Sequence, residues 1–364
     1  MRAGPNERQR PPRLACRACR EYGAVVVFAA RLTVLGSLNM DISVTVPDLP
    51  VPGATVLGRA AVFAPGGKGA NQAVAAARLA REAGMPVAMI GCTGDDDFGR
   101  TLRAALQAEG VDDRSVRTVA SVPTGIAMIT VDRAGENMIT VSPGANHEVS
   151  TADIASLATP APSSPHAASP VREVLVISAE VPLPVIGAAL AASAGRSLRV
   201  LNLAPAPSQV KAADLVALGP DWLVVNESEA AAVLGRAVAG LAEAAAAASD
   251  LVAAGARNAV VTAGAAGAAY CGPGATATAN AADRPHVVTV PGFKVTAVDT
   301  VGAGDTFVGA LAVALAAGLP PLEAVTAAAA AGAAAAARPG TQSGMPRPAD
   351  VLAATGHSWP VPSS

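Results

Sequence analysis

The sequence predicts an α/β protein: a mainly parallel sheet with helices on both faces, plus a small β-sheet lid. Short apolar segments such as 173–180 (EVLVISAE) alternate with alanine-rich segments of helical spacing such as 72–84. This alternation is typical of a parallel sheet that is buried on both faces. Two further segments, 42–67 and 124–146, alternate apolar with polar residues, and DRAGEN (132–137) has the composition of a hairpin turn. They predict antiparallel ribbons with one exposed face, which would form the lid.

The elements of the large sheet follow one another at regular intervals. The predicted strands are residues 32–41, 86–94, 173–180, 197–205, 221–229 and 258–264. The predicted helices are residues 72–84, 98–110, a segment that starts at 302–305, 324–337 and a short one from 350. Gly84 and Gly110 end the first two helices, and Gly318 followed by Pro320 ends the third, in the usual order of stop signals. Ligands of such folds bind at the carboxyl ends of the strands, where polar residues occur here.

Composition excludes several classes of function. A chain of 364 residues can bury the core of one large or two ordinary domains. Its net charge of −2 gives no electrostatic footprint for nucleic acid, and no apolar run approaches the roughly 20 residues of a membrane span. The four cysteines, Cys16, Cys19, Cys92 and Cys271, form no disulfide framework, and the first pair lacks a second pair for a metal site. We therefore expect a protein of the reducing cytoplasm.

One domain accounts for most of the chain. We predict a disordered leader at 1–30, a domain at 31–355 with lid ribbons at about 42–66 and 122–142, and a frayed tail at 356–364. Residues 23–30 (GAVVVFAA) weakly resemble the apolar part of a signal peptide, but an unstructured extension before the first strand is the favoured interpretation. The Pro- and Ser-rich segment 159–170 is predicted to be a mobile surface loop.

The segment DTVGAGDTF (299–307) places small residues and a carboxylate at the start of a predicted helix. Unpaired N–H groups at a helix N-terminus attract anions, and Gly302 and Gly304 let the backbone come close to one. Asp305 would repel a phosphate, but it serves as a base if a hydroxyl loses its proton while attacking phosphorus. The motif alone leaves two interpretations open: an Asp-capped helix, or an anion hole at Gly302, Ala303 and Gly304 beside a catalytic base.

A second glycine-rich motif, PGGKGANQA (65–73), contains Lys68, one of only three lysines in the chain. It does not match the Walker A pattern, and the chain contains no G-x-G-x-x-G, since Gly302-Ala303-Gly304 is followed by Asp-Thr-Phe. The two common phosphate loops are therefore absent, and a nicotinamide-dependent oxidoreductase is disfavoured because it lacks its glycine fingerprint. The simple interpretation is a tight turn with Asn71 as the N-cap of the next helix. The functional interpretation is contact of the backbone and the Lys68 cation with a polyol.

Three further polar groups follow predicted strands. Asn39 and Asp41 lie two residues apart and therefore on one side of a strand, which suits either a vicinal diol or a plain turn. Asn226 and Glu229 have the spacing of a capping box, and Glu229 could also hold Mg²⁺ through water. The small residues of TAGAAG (262–267) would let a nucleotide lie against the chain.

Together and in this order, the motifs resemble a known family over about residues 32–353. GGKGANQAVAAARL (66–79) and DTVGAGDTFVGAL (299–311) are similar to the two signatures of the PfkB sugar kinases. VLGSLNMD, GCTGDDDFG and GENMITVSPGAN are more similar to the ribokinase branch than to the fructokinase or adenosine kinase branches. The resemblance implies ATP-dependent phosphorylation of the ribose 5-hydroxyl by a homodimer that pairs through its lid sheets. The alternatives are a kinase of deoxyribose, fructose or adenosine, and a non-catalytic sugar-binding regulator.

The resemblance also implies roles for individual residues. Asp305 would be the base, beside the anion hole at 302–304. The implied sugar-binding residues are Asn39, Asp41, Gly67, Lys68, Gly69, Asn71, Glu180 and Asp305. The implied ATP-binding residues are Asn226, Thr262, Ala263, Gly264, Ala265, Ala266, Gly267, Gly304 and Ala329. Glu229 would hold Mg²⁺ through water. The implied site for K⁺ as activator comprises Asp299, Val301, Ala335, Arg338, Gly340 and Gly344.

The sequence departs from the family pattern at three of these regions. Ala329 stands where a polar residue commonly lies beside the adenine, which puts nucleotide affinity in question. Gly344 replaces an expected serine near the cation loop, and Val308 replaces a frequent asparagine after the base. None of the three changes the residues of the transfer chemistry itself.

Overall fold

The computed structural model describes residues 30–158, 172–206, 212–273 and 286–361. The predicted leader up to residue 29 and the predicted loop at 159–170 lie outside these described residues. The strands are β1 (Ala30–Leu35), β2 (Asn39–Thr45), β3 (Val62–Gly66), β4 (Val87–Gly94), β5 (Asp112–Val119), β6 (Gly125–Val131), β7 (Asn137–Ser142), β8 (Arg172–Ser178), β9 (Ser197–Asn202), β10 (Trp222–Asn226), β11 (Ala259–Thr262), β12 (Gly267–Gly272) and β13 (His286–Pro291). The helices are α1 (Lys68–Ala80), α2 (Asp97–Ala108), α3 (Leu183–Ala192), α4 (Ala212–Ala217), α5 (Glu227–Leu234), α6 (Gly240–Ala253), α7 (Ala303–Ala316), α8 (Pro321–Ala336), α9 (Thr341–Gly344) and α10 (Pro348–Thr355).

The large sheet has nine strands in the order β13-β12-β11-β10-β9-β8-β1-β4-β5. The seven strands from β11 to β5 are parallel to one another, and β12 and β13 extend the sheet as antiparallel edge strands. The predicted parallel sheet is confirmed, but the sequence analysis missed β5, β12 and β13. β5 buries Val116 and Val119 at a spacing of three, and β12 (GAAYCG) consists mainly of small residues, so neither has the alternation that predicts a strand.

Two layers of helices cover the large sheet. In β8, Val174 and Val176 join the core beneath α1, α7 and α8, whereas Leu175 and Ile177 join the core beneath α3, α5 and α6. Alternate residues of one strand thus enter opposite cores, which explains why these strands are apolar throughout. The first layer brings α1 and α7, the helices of the two glycine motifs, into direct contact.

The lid is a separate four-stranded sheet in the order β3-β2-β6-β7. β2 pairs antiparallel with β3 and β6 pairs antiparallel with β7, as predicted, and the turn at 132–137 is confirmed by hydrogen bonds between Asp132 and Glu136 and between Gly135 and Asp132. The central pair, β2 and β6, is parallel. Both predicted ribbons are therefore confirmed as antiparallel, and they meet through a parallel pair that the sequence patterns do not specify.

Three predicted boundaries also need correction. The predicted strand 32–41 divides into β1 and β2, which belong to different sheets, because α1 lies against Gly36: a Cβ there would be 2.8 Å from the Cα of Gly69. Helix α1 begins at Lys68 rather than at residue 72, so Asn71 is not its N-cap. Helix α10 begins at Pro348, two residues before the predicted start. None of the helices described above is long and apolar enough to cross a lipid bilayer.

Candidate active site

Asp305 lies in the first turn of α7 and is half-buried. Its Oδ2 accepts a hydrogen bond from Nδ2 of Asn71 at 2.9 Å, and its Oδ1 accepts one from Nε2 of Gln72 at 3.1 Å. Both donors belong to α1. The carboxylate therefore faces the groove between the two helices and does not cap its own helix, so the capping interpretation was wrong.

The backbone before Asp305 exposes donors of the kind that bind anions. Gly302, at φ 78°, is the N-cap of α7, and this left-handed conformation favours glycine. The N–H of Ala303 donates to the carbonyl of Thr300, whereas the N–H groups of Gly302, Gly304 and Asp305 have no acceptor among the described residues. An anion at this point would meet these N–H groups and the positive end of the helix dipole.

Lys68 lies half-buried in a group of carboxylates. Burial disfavours its charge, but Asp305, Glu180, Glu229 and Asp41 together outweigh this effect and raise the pKa of Lys68 above its ordinary value. These four acids come from four different segments of the chain. The ammonium group is therefore firmly charged, and it is close enough to all four carboxylates to feel their field.

Asp41 extends from the lid strand β2 toward this group. Burial, followed by the charges of Glu180 and Asp305, raises the pKa of Asp41 to about 7, although Lys68 opposes the shift. Glu180 accepts hydrogen bonds from the hydroxyl of Ser37 and from the backbone N–H of Lys68 at 3.4 Å. A hydroxyl-rich ligand would find several closely spaced acceptors here.

Asn39 is held rigidly at the base of the lid. Its Oδ1 accepts a hydrogen bond from Nδ2 of Asn146 at 2.7 Å, and only 3% of the residue is exposed. Gly67 lies against it at φ 88°, where an added Cβ would be 2.6 Å from the N atom of Asn39. Only glycine fits there, which explains one glycine of the PGGKGANQA motif.

The nucleotide side of the predicted site lies beyond β10 and β11. Asn226 and Glu229 form the predicted capping box, with both hydrogen bonds at 2.8 Å, and this prediction is confirmed. Burial raises the pKa of Glu229, with the Asn226 N–H and Lys68 working in the opposite direction. Residues 262–267 form a short turn between β11 and β12. Ala329 is a half-buried residue of α8, the helix that contacts β12 and β13.

Most of the predicted cation residues come together next to α9. Asp299 accepts hydrogen bonds from the N–H groups of Val301 and Gly340, each at 3.0 Å. A Cβ at Gly344 would be 3.2 Å from the carbonyl oxygen of Arg338, so these two residues are adjacent. The carbonyl of Ala335, by contrast, accepts the N–H of Arg338 at the end of α8. The carbonyl of Gly340 likewise accepts the N–H of Gly344, and each of these two carbonyls keeps a second lone pair. A carboxylate and backbone carbonyls are the types of oxygen ligand that a monovalent cation takes.

The sequence analysis missed five residues that support the site. Ser37, Gln72 and Asn146 lie inside motifs that resemble those of the sugar kinases, and only their roles were missed. Asn202 and Gln342 carry no local signature. They enter only because the fold brings the end of β9 and helix α9 next to α1.

Comparison with known proteins identifies the family. Residues 29–348 match the pfkB family of carbohydrate kinases. The ribokinase of Schizosaccharomyces pombe is 36% identical over 325 residues, which cover 88% of this chain and 96% of that protein. The ribokinase of Haemophilus influenzae is 35% identical over 327 residues, covering 90% and 99%. The solved structure of Arabidopsis thaliana ribokinase complexed with ribose and ATP is 27% identical, with a TM-score of 0.73 over 91% of this chain and 100% of that chain.

The chain belongs to the pfkB family of carbohydrate kinases. Membership of this family confirms the resemblance inferred from the two glycine-rich motifs, and with it the predicted ATP-dependent sugar kinase.

Proposed function

We propose that this carbohydrate kinase transfers the γ-phosphoryl group of ATP to the 5-hydroxyl of D-ribose and yields ribose 5-phosphate. The observation that carries the proposal is the placement of Asp305 at the start of α7. Its carboxylate accepts hydrogen bonds there from two side-chain amides of α1. The ribokinases among its relatives support ribose as the acceptor.

The chemistry follows from the groups at this point. The carboxylate of Asp305 accepts the proton of the attacking hydroxyl, which makes the oxygen a better nucleophile. The N–H groups of Gly302, Gly304 and Asp305, which have no acceptor among the described residues, stabilise the negative charge that develops on the transferred phosphoryl group. Lys68 adds a positive charge next to the same carboxylate. Asn39, Asp41, Asn71 and Glu180 hold the sugar hydroxyls, with the backbone of 67–69.

ATP binds, in this proposal, along Asn226, the turn at 262–267, Gly304 and Ala329. Glu229 holds Mg²⁺ through water, and the bound ion neutralises charge on the phosphate oxygens. The carboxylate of Glu229 leaves one oxygen for such a water, because Oε2 accepts the Asn226 N–H whereas Oε1 accepts no hydrogen bond from the described residues. K⁺ binds next to α9, at Asp299, Val301, Ala335, Arg338, Gly340 and Gly344. The carbonyls of Ala335 and Gly340 each accept one N–H and keep a second lone pair for the ion.

A coupled assay of ADP release tests the function. D-ribose should give the highest kcat/KM in a panel with 2-deoxyribose, fructose and adenosine, and ³¹P NMR should show a 5-phosphate. The assay is repeated with and without K⁺, which should raise the rate. Preference for deoxyribose, fructose or adenosine would support the corresponding alternative, and absence of ADP release with every acceptor would support the sugar-binding regulator.

We also propose that the protein is a homodimer that pairs through its lid. By the register of the strands, Val62, Ile139 and Val141 lie on the same side of the lid as Asp41, and they are 59%, 52% and 46% exposed. A second copy on this side would cover these side chains and the sugar site together. Light scattering should give a dimer that Ile139→Asp dissociates, while Thr140→Asp, on the opposite side, leaves it intact. A monomeric wild-type protein would contradict the proposal.

Two further proposals concern the ends of the chain and its compartment. Residues 31–355 act as one domain and the segment before β1 is dispensable, so a variant that starts at residue 29 should keep full activity. We place the protein in the cytoplasm, because Cys92 and Cys271 are free, buried thiols.

A further inference from the structure

Each oxygen of the Asp305 carboxylate accepts a hydrogen bond from a side-chain amide of α1, and each of these two amides is hydrogen-bonded to a second side-chain amide. We propose that Gln72 and Gln342 are positioning residues for phosphoryl transfer. With Asn71 and Asn202 they form what we name the amide clamp, which aims the Asp305 carboxylate at the acceptor hydroxyl. This inference rests on the proposed role of Asp305 as base.

The first arm of the clamp runs from the large sheet. Gln72 is fully buried, and its Nε2 donates to Oδ1 of Asp305 at 3.1 Å and to Oδ1 of Asn202 at 2.9 Å. Asn202, at the end of β9, donates through Nδ2 to the carbonyl of Val224 in β10 at 3.1 Å. With its NH₂ group on the Val224 carbonyl, Asn202 turns its oxygen toward Gln72. That oxygen can only accept, so Gln72 must turn its own NH₂ group toward it, and the same NH₂ group then reaches Asp305.

The second arm runs from α9. Nε2 of Gln342 donates to Oδ1 of Asn71 at 3.1 Å, and Nδ2 of Asn71 donates to Oδ2 of Asp305 at 2.9 Å. Arg78 holds this part of the chain, because its Nη1 donates to the carbonyls of Gln342 at 2.6 Å and Met345 at 2.7 Å. The two arms thus start from separate, rigid parts of the molecule.

The second arm reinforces the orientation of Asn71. The oxygen and the NH₂ group of a primary amide have nearly the same shape, so only hydrogen bonds distinguish the two orientations. The Asp305 carboxylate accepts from the NH₂ group and Gln342 donates to the oxygen, so both neighbours select the same orientation, and loss of the Gln342 donor removes one of the two restraints on Asn71. The Gln342 side chain therefore acts on the base through Asn71 and without touching it.

The clamp has a kinetic consequence. Two hydrogen bonds, one on each oxygen, prevent the Asp305 carboxylate from rotating, and each oxygen keeps lone-pair capacity for the substrate hydroxyl. A reacting group displaced by about 1 Å can lose about 100-fold in rate. Neither Gln72 nor Gln342 is among the residues that hold sugar or nucleotide in our proposal. Loss of either arm should therefore lower kcat and leave the KM for ATP almost unchanged. Loss of the Gln342 arm also releases Asn71, which holds a sugar hydroxyl in our proposal, so the KM for ribose should rise as well.

The test uses substitutions of Gln342, which is half-buried and tolerates change better than Gln72. Gln342→Met keeps the length but removes the donor, and kcat should fall about tenfold. Gln342→Glu should cost at least about 100-fold, because a carboxylate at that position attracts the NH₂ group of Asn71 and turns its oxygen toward Asp305. The KM for ATP should stay within about threefold of wild type, because neither Asn71 nor Asp305 holds the nucleotide in our proposal. The matched control is Ser343→Ala: Ser343 is exposed and donates to the carbonyl of Pro339 at 3.2 Å, so its loss should leave kcat unchanged.

A double-variant experiment separates positioning from general damage. In an Asn71→Ala background Gln342→Met should have no further effect, since the arm is already broken. Wild-type kcat in Gln342→Met, equal values in Gln342→Met and Gln342→Glu, or an undiminished loss in the Asn71→Ala background would each overturn the clamp. Failure of the proposed function is detected separately, in the wild-type protein. If the wild-type protein prefers another sugar, the variants are measured with that sugar. If no acceptor reacts, both the role of Asp305 as base and the role of the clamp are refuted.

Discussion

Gly309 determines how closely α7, which carries Asp305, approaches α1, which carries the two amides that donate to the Asp305 carboxylate. It lies one turn after Asp305 in α7, facing α1. A Cβ added at this position would be 2.7 Å from the carbonyl oxygen of Gln72 and 3.0 Å from the Cβ of Ala75. Ordinary contact begins at 3.4 Å, so in Gly309→Ala the helices must separate by about 0.7 Å, the difference between 3.4 Å and 2.7 Å.

This separation has an effect on stability and one on the site. Overpacking costs about 1–3 kcal/mol, while replacement of a helical glycine by alanine returns about 0.5–1 kcal/mol, so we expect a net loss. The same displacement would stretch the Asp305 hydrogen bond to Asn71 from 2.9 Å to about 3.6 Å, and the one to Gln72 from 3.1 Å to about 3.8 Å. Neither is then a hydrogen bond, and kcat should fall at least about tenfold.

Urea unfolding and the ADP-release assay measure the two effects of Gly309→Ala. Gly187→Ala in α3 is the matched control, because its Cβ would be 3.6 Å from Cδ1 of Leu218, an ordinary contact. That variant should gain about 0.5–1 kcal/mol and keep wild-type kcat. If Gly309→Ala proved as stable and as active as wild type, the close contact of α1 and α7 could not be what positions Asp305.

Three further predictions concern the charged groups. Asp305→Asn should lower kcat by about 10²–10⁴-fold while calorimetry shows that ribose and ATP still bind, and near-normal turnover would exclude Asp305 as the base. Lys68→Met should weaken ribose binding more than ATP binding, because Lys68 lies among the sugar-side carboxylates; equal losses would contradict its placement. The pKa of Asp41 is raised from 3.8 to about 7, so the folded state holds this proton more tightly than the unfolded state. Between these pH values the proton stabilises the fold progressively less as pH rises. Asp41→Asn, compared with wild type by urea unfolding without ligand, should therefore gain relative stability as the pH rises from about 4 to about 7 and no more above that, and a constant difference would refute this.

Local patterns were sufficient for much of the fold and for the capping box at Asn226 and Glu229. Apolar segments such as 173–180 identify strands that are buried on both faces, and the three-residue spacing of Asn226 and Glu229 is enough to predict the capping box. Glycines near Lys68 and Asp305 mark two kinds of position. Gly67 and Gly302 have a positive φ, and at Gly67 and Gly69 another part of the backbone comes too close for a Cβ. Such signals are readable because each depends on the few residues around it.

Long-range pairing was beyond these patterns. The division of β1 from β2, the parallel pairing of β2 with β6 and the edge strands β12 and β13 depend on which surfaces meet once the chain has folded. The same holds for the amide clamp: Gln72 is 130 positions from Asn202 and 233 from Asp305, and Gln342 is 271 from Asn71. By itself the sequence determined most of the elements and the family, because these are written in short motifs, and the same motifs predict Asp305 as the base. Only the tertiary structure decided which amides hold that base, because hydrogen bonds between distant segments depend on packing that no local pattern encodes.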